Sequence, residues 1–189
     1  APFVLTPHRC LYCTDQIILS YRLHVNQKSR SGYTPLYAAS RKGHVEVTKL
    51  ILTVDGVDVN QAANTGATPL YIAAQNGHVD IAKLLIKAGA IVNQADNDGT
   101  SPLFIAASNG HVDLIKVIIE AGGDVNQART DGATPLFIAS ENGHTDIVAI
   151  LLGTPGIQIN QARTTDGSTP LFVASHEGHT DIVAILSGT

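Results

Sequence analysis

The chain has 189 residues, 12 basic against 16 acidic for a net charge of −4, two cysteines and no methionine. A nucleic-acid partner would demand a basic face, no apolar run reaches the 18 or so residues of a membrane span, and two cysteines cannot staple a chain of this length. We therefore expect a cytoplasmic protein with no nucleic-acid partner and no membrane insertion, and the missing methionine suggests a processed product or a fragment.

Residues 1–24 open the chain with "HRCLYC", which brings His8, Cys10 and Cys13 together with His24 further on. One CxxC pair falls short of the two matched ligand pairs of a structural zinc site. Zinc, a disulfide and free thiols all stay open for this segment, but no metal or cofactor is assigned to the chain. "TDQIILSYRLHVNQ", Thr14 to Gln27, reads as a decayed helix and finger whose Ile17, Ile18 and Leu19 would cover the first full unit.

From residue 25 onward the chain repeats itself. Pro35, Pro69, Pro102, Pro135 and Pro170 fall at spacings of 34, 33, 33 and 35, and Asn26, Asn60, Asn93, Asn126 and Asn160 at 34, 33, 33 and 34. The extra residues lie in "TVDGVD", "GTPGIQ" and "RTTDG", so insertions should leave the helices at fixed length. The repeats run over about 25–58, 59–91, 92–124, 125–158 and 159–189.

Each unit predicts two short helices and a finger. Thr34 before Pro35 is a helix start, and "PLYAASRK" should stop at Gly43 in a left-handed turn. A second helix follows His44, with Glu46 in its first turn and Val47, Leu50 and Ile51 as its apolar stripe. Segments such as "VNQADNDGT", Val92 to Thr100, carry an Asp-Gly turn and should form a hairpin-like finger. Helices this short do not persist alone, so the units must stack into a solenoid.

"GATPLYIAAQNGHVDIAKLLIKAGAIVN", Gly66 to Asn93, resembles the ankyrin-repeat pattern almost position for position, and five copies in register carry the resemblance over residues 25–189. It implies an all-α ankyrin-repeat solenoid of stacked helix-turn-helix units joined by β-hairpin-like loops. Where the family has a histidine after TPL, this chain has Tyr37, Tyr71, Phe104, Phe137 and Phe172. We expect these rings to pack as an apolar column in place of the family's polar links, with a functional aromatic stripe as the rival reading.

His44, His78, His111, His144 and His179 recur once per repeat. Stacked layers are roughly 8–10 Å apart, so these histidines cannot share one ion. The resemblance gives them a structural role, bonding backbone at the start of the second helix. Neither GxSxG, HExxH nor a phosphate-binding glycine loop occurs, and Asp98, Asp131 and Asp166 precede turn glycines where the turn explains them. No enzyme activity is expected.

Function should lie where the copies differ on an exposed side. The resemblance points to finger tips and to the residues before each helix stop, along a concave face that receives a protein partner. Those positions are Arg30, Tyr33, Arg41 and Lys42, then Asn64, Gln75 and Asn76, then Asn97, Ser108 and Asn109, then Arg129, Asp131, Glu141 and Asn142, then Arg163, Asp166, His176 and Glu177. The ladder runs from basic through amide-rich to mixed and acidic. Tyr33 beside Arg30 and Arg41 is the expected hot spot, since binding energy concentrates in tyrosine and arginine. The competing reading is a structural stretch of a longer array with no dedicated ligand.

Two further expectations concern modification and the chain's end. Asn60, Asn93 and Asn126, each eight residues after Leu52, Leu85 or Ile118, resemble sites of asparaginyl hydroxylation in ankyrin repeats, while the plainer reading has them holding the finger. "GHTDIVAIL" occurs at 143–151 and again at 178–186. The second copy should leave Ile182, Val183, Ile185 and Leu186 uncovered, which suggests a longer array or end-to-end self-association.

Overall fold

A computed structural model describes residues 24–188. The cap expected over residues 1–24, with Cys10, Cys13 and the apolar residues 17–19, lies outside the described residues except for His24. Ten complete helices follow, two per repeat: α1 (Pro35–Lys42) with α2 (Val45–Leu52), α3 (Pro69–Gln75) with α4 (Val79–Lys87), α5 (Pro102–Ser108) with α6 (Val112–Glu120), α7 (Pro135–Glu141) with α8 (Thr145–Leu152), and α9 (Pro170–Glu177) with α10 (Thr180–Ser187).

Each first helix starts as its sequence dictates. The hydroxyls of Thr34, Thr68, Ser101 and Thr134 each accept from the backbone N–H three residues on, at 3.1 Å, and Thr169 does so at 3.3 Å. Proline follows at the first helical position, where its missing donor costs nothing. Gly43 ends α1 with φ 76°, in the left-handed region that a Cβ disfavours.

The second helices are not of one length. They run nine residues in α4 and α6 but eight in α2, α8 and α10.

The odd-numbered helices form one row and the even-numbered helices a second, with every substantial helix contact made inside a repeat or between neighbours in a row. The odd row packs more closely. Its small residues allow this: Ala39, Ala73, Ala74, Ala106, Ala107, Ala139 and Ala174 are all buried. One continuous core runs from Leu36 through Leu70, Leu103 and Leu136 to Ile182, joined by Ile81, Leu85, Leu114, Ile118, Ile147 and Leu151 from the even row. Burying one such side chain stabilises the fold by about 1.5–3 kcal/mol.

No strand occurs among the described residues, yet the loops are hairpin-like. Ala63 donates to the Ala67 carbonyl at 2.9 Å, Asp96 to Thr100 at 3.0 Å and Arg129 to Ala133 at 2.9 Å, while Arg163 reaches Ser168 at 2.8 Å around the finger with the extra residue. Neighbouring fingers also bond to each other. Asn97 donates its backbone N–H to Thr65, Thr130 to Asp98, and Thr164 to Asp131, at 3.0, 3.1 and 2.8 Å.

The histidines hold repeats together in a way the resemblance did not imply. As first-residue caps they make no side-chain bond to their own helix. Nε2 of His78, His111, His144 and His179 instead faces the carbonyl of Arg41, Gln75, Ser108 and Glu141 in the preceding repeat, at 3.3, 3.1, 3.1 and 3.0 Å. A carbonyl only accepts, so the ring proton sits on Nε2. The same ring fills the space beside the preceding helix-stop glycine: a Cβ on Gly110 would lie 2.8 Å from His144 Cε1.

The asparagines act at long range too. Asn93 donates to the Gly122 carbonyl at 3.1 Å and accepts from the Asp124 N–H at 2.8 Å, and Asn26, Asn60 and Asn126 make the same pair of bonds to the loop that closes their own repeat. They clasp the loop at the far end of the repeat, not their own finger.

Two packing expectations need correction. Phe172 is 59 % exposed, so the ring column has four buried members, not five. The space beside those rings is also filled by polar side chains: Arg129 lies over Phe104 with 5.1 Å to the centroid and Arg163 over Phe137 with 4.9 Å. In the last helix Ile182 is fully buried, against expectation, as part of the continuous core. Val183 and Leu186 are half-buried, where Val148 and Leu151 in the earlier copy are fully buried.

Candidate functional site

The fingers and the odd-numbered helices enclose a depression of about 470 Å³ across the first three repeats. Tyr33 and Arg41 come from the first repeat and Gln75 and Asn76 from the end of α3, all four among the residues expected on the binding face. Tyr37, Tyr71, Asp96 and Asp98 also line it, with Thr65, Ala67 and Ile72.

The rings are held by packing. Tyr33 stacks on Tyr37 with centroids 4.6 Å apart and planes 10° apart, and the Arg41 guanidinium lies 5.7 Å from the Tyr33 centroid. Tyr37 and Tyr71 form a small core of their own with Ala63, Ala67 and Ile72. Burial raises the Tyr37 hydroxyl above the ordinary phenol range, Tyr33 adds to the shift, and Arg41 opposes it. Tyr71 is raised further, first by burial and then by the charge and hydrogen bond of Asp96. Both hydroxyls therefore keep their protons, and each can donate a hydrogen bond at neutral pH.

The other expected residues divide by what their side chains already hold. Arg30 and Lys42 are exposed, outside the depression. Asn64 donates to the Arg30 carbonyl at 3.1 Å, Asn97 to Asn64 at 3.1 Å, Asn109 to Gln75 at 3.0 Å and Asn142 to Ser108 at 2.9 Å, so these amides bind neighbouring repeats together. Asn76 donates back to Ile72 in its own helix at 2.8 Å.

In the last two repeats the charges pair with each other. Arg129 bonds Asp131 through Nε at 3.0 Å and through Nη2, and Arg163 bonds Asp166 through the same two nitrogens, with Glu141 3.9 Å from its guanidinium. These bonds hold the Asp131 and Asp166 carboxyls below the usual carboxylate range and raise both guanidinium groups. His176 pairs with Glu177 at 2.8 Å and lies over the exposed Phe172 ring. The ladder is therefore open for contact at its front and internally bonded at its rear.

Sequence reasoning missed Tyr37, Tyr71 and Asp96. It assigned the two tyrosines to the packed column, and they do pack, but they also face the depression. Asp96 carried a signal in the register: the third finger reads Asp96-Asn97-Asp98 where the fourth reads Arg129-Thr130-Asp131. Among the described residues no group of three or more histidine, cysteine, aspartate or glutamate side chains is arranged to hold a metal ion.

With the geometry in place, comparison with known families finds one match. A family model described as ankyrin repeats, in three copies, aligns in overlapping frames with residues 9–96, 56–129, 84–163 and 103–188. No curated protein matches the chain.

Proposed function

Since the chain belongs to the ankyrin-repeat family, whose members generally serve as protein-interaction modules, we propose that its front three repeats receive a segment of a protein partner in the depression around Tyr33, Tyr37 and Tyr71. The observation that carries the reading is the cluster of three tyrosines flanked by Arg41 at one side and Asp96 and Asp98 at the other. Rigid rings with polar tips supply contact area at low entropic cost, and tyrosine and arginine dominate hot spots. The family is typically non-enzymatic, and we propose a cytoplasmic protein without catalytic activity. No helix among the described residues is long and apolar enough to cross a membrane.

A second reading applies to the rear of the array. The internally paired Arg129–Asp131 and Arg163–Asp166 suit repeats that extend and stiffen the stack, as a structural stretch would.

The test pans a displayed random-peptide library on the full chain and measures the retained peptides on variants. Tyr33→Ala with Arg41→Ala should weaken binding at least tenfold, while Lys83→Ala with Lys116→Ala on the even-numbered helices should leave it unchanged. Arg41→Ala alone serves as a check, because Arg41 is exposed and its loss should not disturb the fold. Peptides indifferent to Tyr33 and Arg41 would refute the assignment.

A further inference from the structure

The repeats of this chain are internal controls for one another, and one of them lacks a part that two others have. In the fourth and fifth fingers a guanidinium occupies a fixed place. Arg129 lies over the ring of Phe104 and pairs with Asp131, and Arg163 lies over Phe137 and pairs with Asp166. Ring, cation and carboxylate form one unit, built twice from residues at equivalent register.

The third finger keeps the ring and the carboxylate and drops the cation. Tyr71 stands at the ring position, Asp98 at the position of Asp131, and Asp96 where the arginine would be. No guanidinium lies over Tyr71 among the described residues, and neither carboxylate has an ion-pair partner there. Asp96 turns its Oδ1 to the backbone N–H groups of Asp98 and Thr100, at 3.0 and 2.9 Å, and its charge bears on Tyr71. This ring and both acids line the open depression of the first three repeats.

We infer that this gap is a subsite for an arginine side chain of the partner segment, placed against Tyr71 and paired with Asp98 and Asp96 as the chain's own arginines are in the next two fingers. The inference rests on the proposed inner-face binding and adds to it the chemistry of one anchoring residue. Arginine fits better than lysine, because the internal copies use a planar group that bonds a carboxylate through two nitrogens while lying over a ring. The ion pair sits at an open surface, so the subsite should lose strength as salt rises.

The experiment uses the full chain and a defined probe, the blocked pentapeptide acetyl-Gly-Ser-Arg-Ser-Gly-amide, alongside its citrulline counterpart, which keeps shape and loses charge. Backbone amide resonances are followed by NMR at peptide concentrations up to the tens of millimolar suited to a single-residue anchor. The arginine peptide should give saturating shifts at Tyr71, Asp96 and Asp98, and the citrulline peptide should bind at least tenfold more weakly.

Asp98→Asn should cut the response by a similar factor. Asp96→Arg, which returns the missing cation from the chain itself, should abolish it. That variant should still fold, because Asp98 can take over the turn bond to Thr100 as Asp131 does to Ala133 at 3.1 Å, and circular dichroism checks this. Equal shifts from both peptides around Tyr33 and Arg41 would leave the binding face standing and overturn the arginine subsite. Absence of a saturating shift at Tyr71, Asp96 and Asp98 would overturn the subsite too, while failure of the library selection would overturn the binding face itself.

Discussion

Replacing Asn93 by alanine tests whether each repeat is held by the clasp between its opening finger and its closing loop. The side chain gives one bond to the Gly122 carbonyl and takes one from the Asp124 N–H, spanning 29 and 31 residues of sequence. A net hydrogen bond contributes about 0.5–1.5 kcal/mol, so losing two should cost about 1–3 kcal/mol, toward the lower end because Asn93 is only half-buried.

For a chain of this size each kcal/mol shifts the melting temperature by roughly 2–4 °C. The assay is urea unfolding followed by circular dichroism, with hydrogen exchange to localise the loss within the third repeat. Stability in a solenoid is a sum over units and their interfaces, so protection should fall there first. The control is inside the protein. Asn160 holds the same register in the last repeat, is exposed, and its side chain makes no hydrogen bond among the described residues, so Asn160→Ala should be close to neutral. Equal destabilisation by both variants would refute the clasp and point to a propensity effect of asparagine in its own turn.

Phe137→Ala should cost about 3–5 kcal/mol, as large cavities in cores do, since Phe137 is 1 % exposed, whereas Phe172→Ala should cost a small fraction of that; the ratio is read from paired urea melts. Gly110→Ala and Gly122→Ala both force a methyl group onto a left-handed backbone, at φ 76° and 89°, at a cost of roughly 1–2 kcal/mol, but only Gly110→Ala also strikes the His144 ring. It should therefore be the more destabilising of the two in thermal melts. Because Asp131 has its pKa lowered by Arg129, its contribution to stability is in full force above the unfolded carboxylate pKa of about 4 and is lost as pH falls through the folded value. Stability measured from pH 6 downward should fall less steeply in Asp131→Asn than in the parent chain.

The solenoid was legible in the sequence because its cause is local and repeated. A threonine or serine before a proline, a glycine stop, an apolar stripe and a glycine in the finger turn each act within a few residues, and five copies in register tell the same story. The family resemblance rests on those residues, and the helices, caps and fingers follow them.

What only the tertiary structure decided is what each repeated word touches, because its partner lies 29 to 38 residues away, at the far end of its own unit or in the preceding one. His111 reads as a helix-start residue and bonds Gln75 of the repeat before; Asn93 reads as a finger residue and holds the loop that closes its own repeat. The identical "GHTDIVAIL" segments bury Val148 fully and Val183 only in part. The site shows the same division. Tyr33 and Arg41 stood out by residue type alone, but Tyr71 and Asp96 gained meaning only when stacking placed the third finger beside the ring of the second repeat. A sequence specifies which side chains it has, while exposure, partner and charge balance belong to the assembled neighbours.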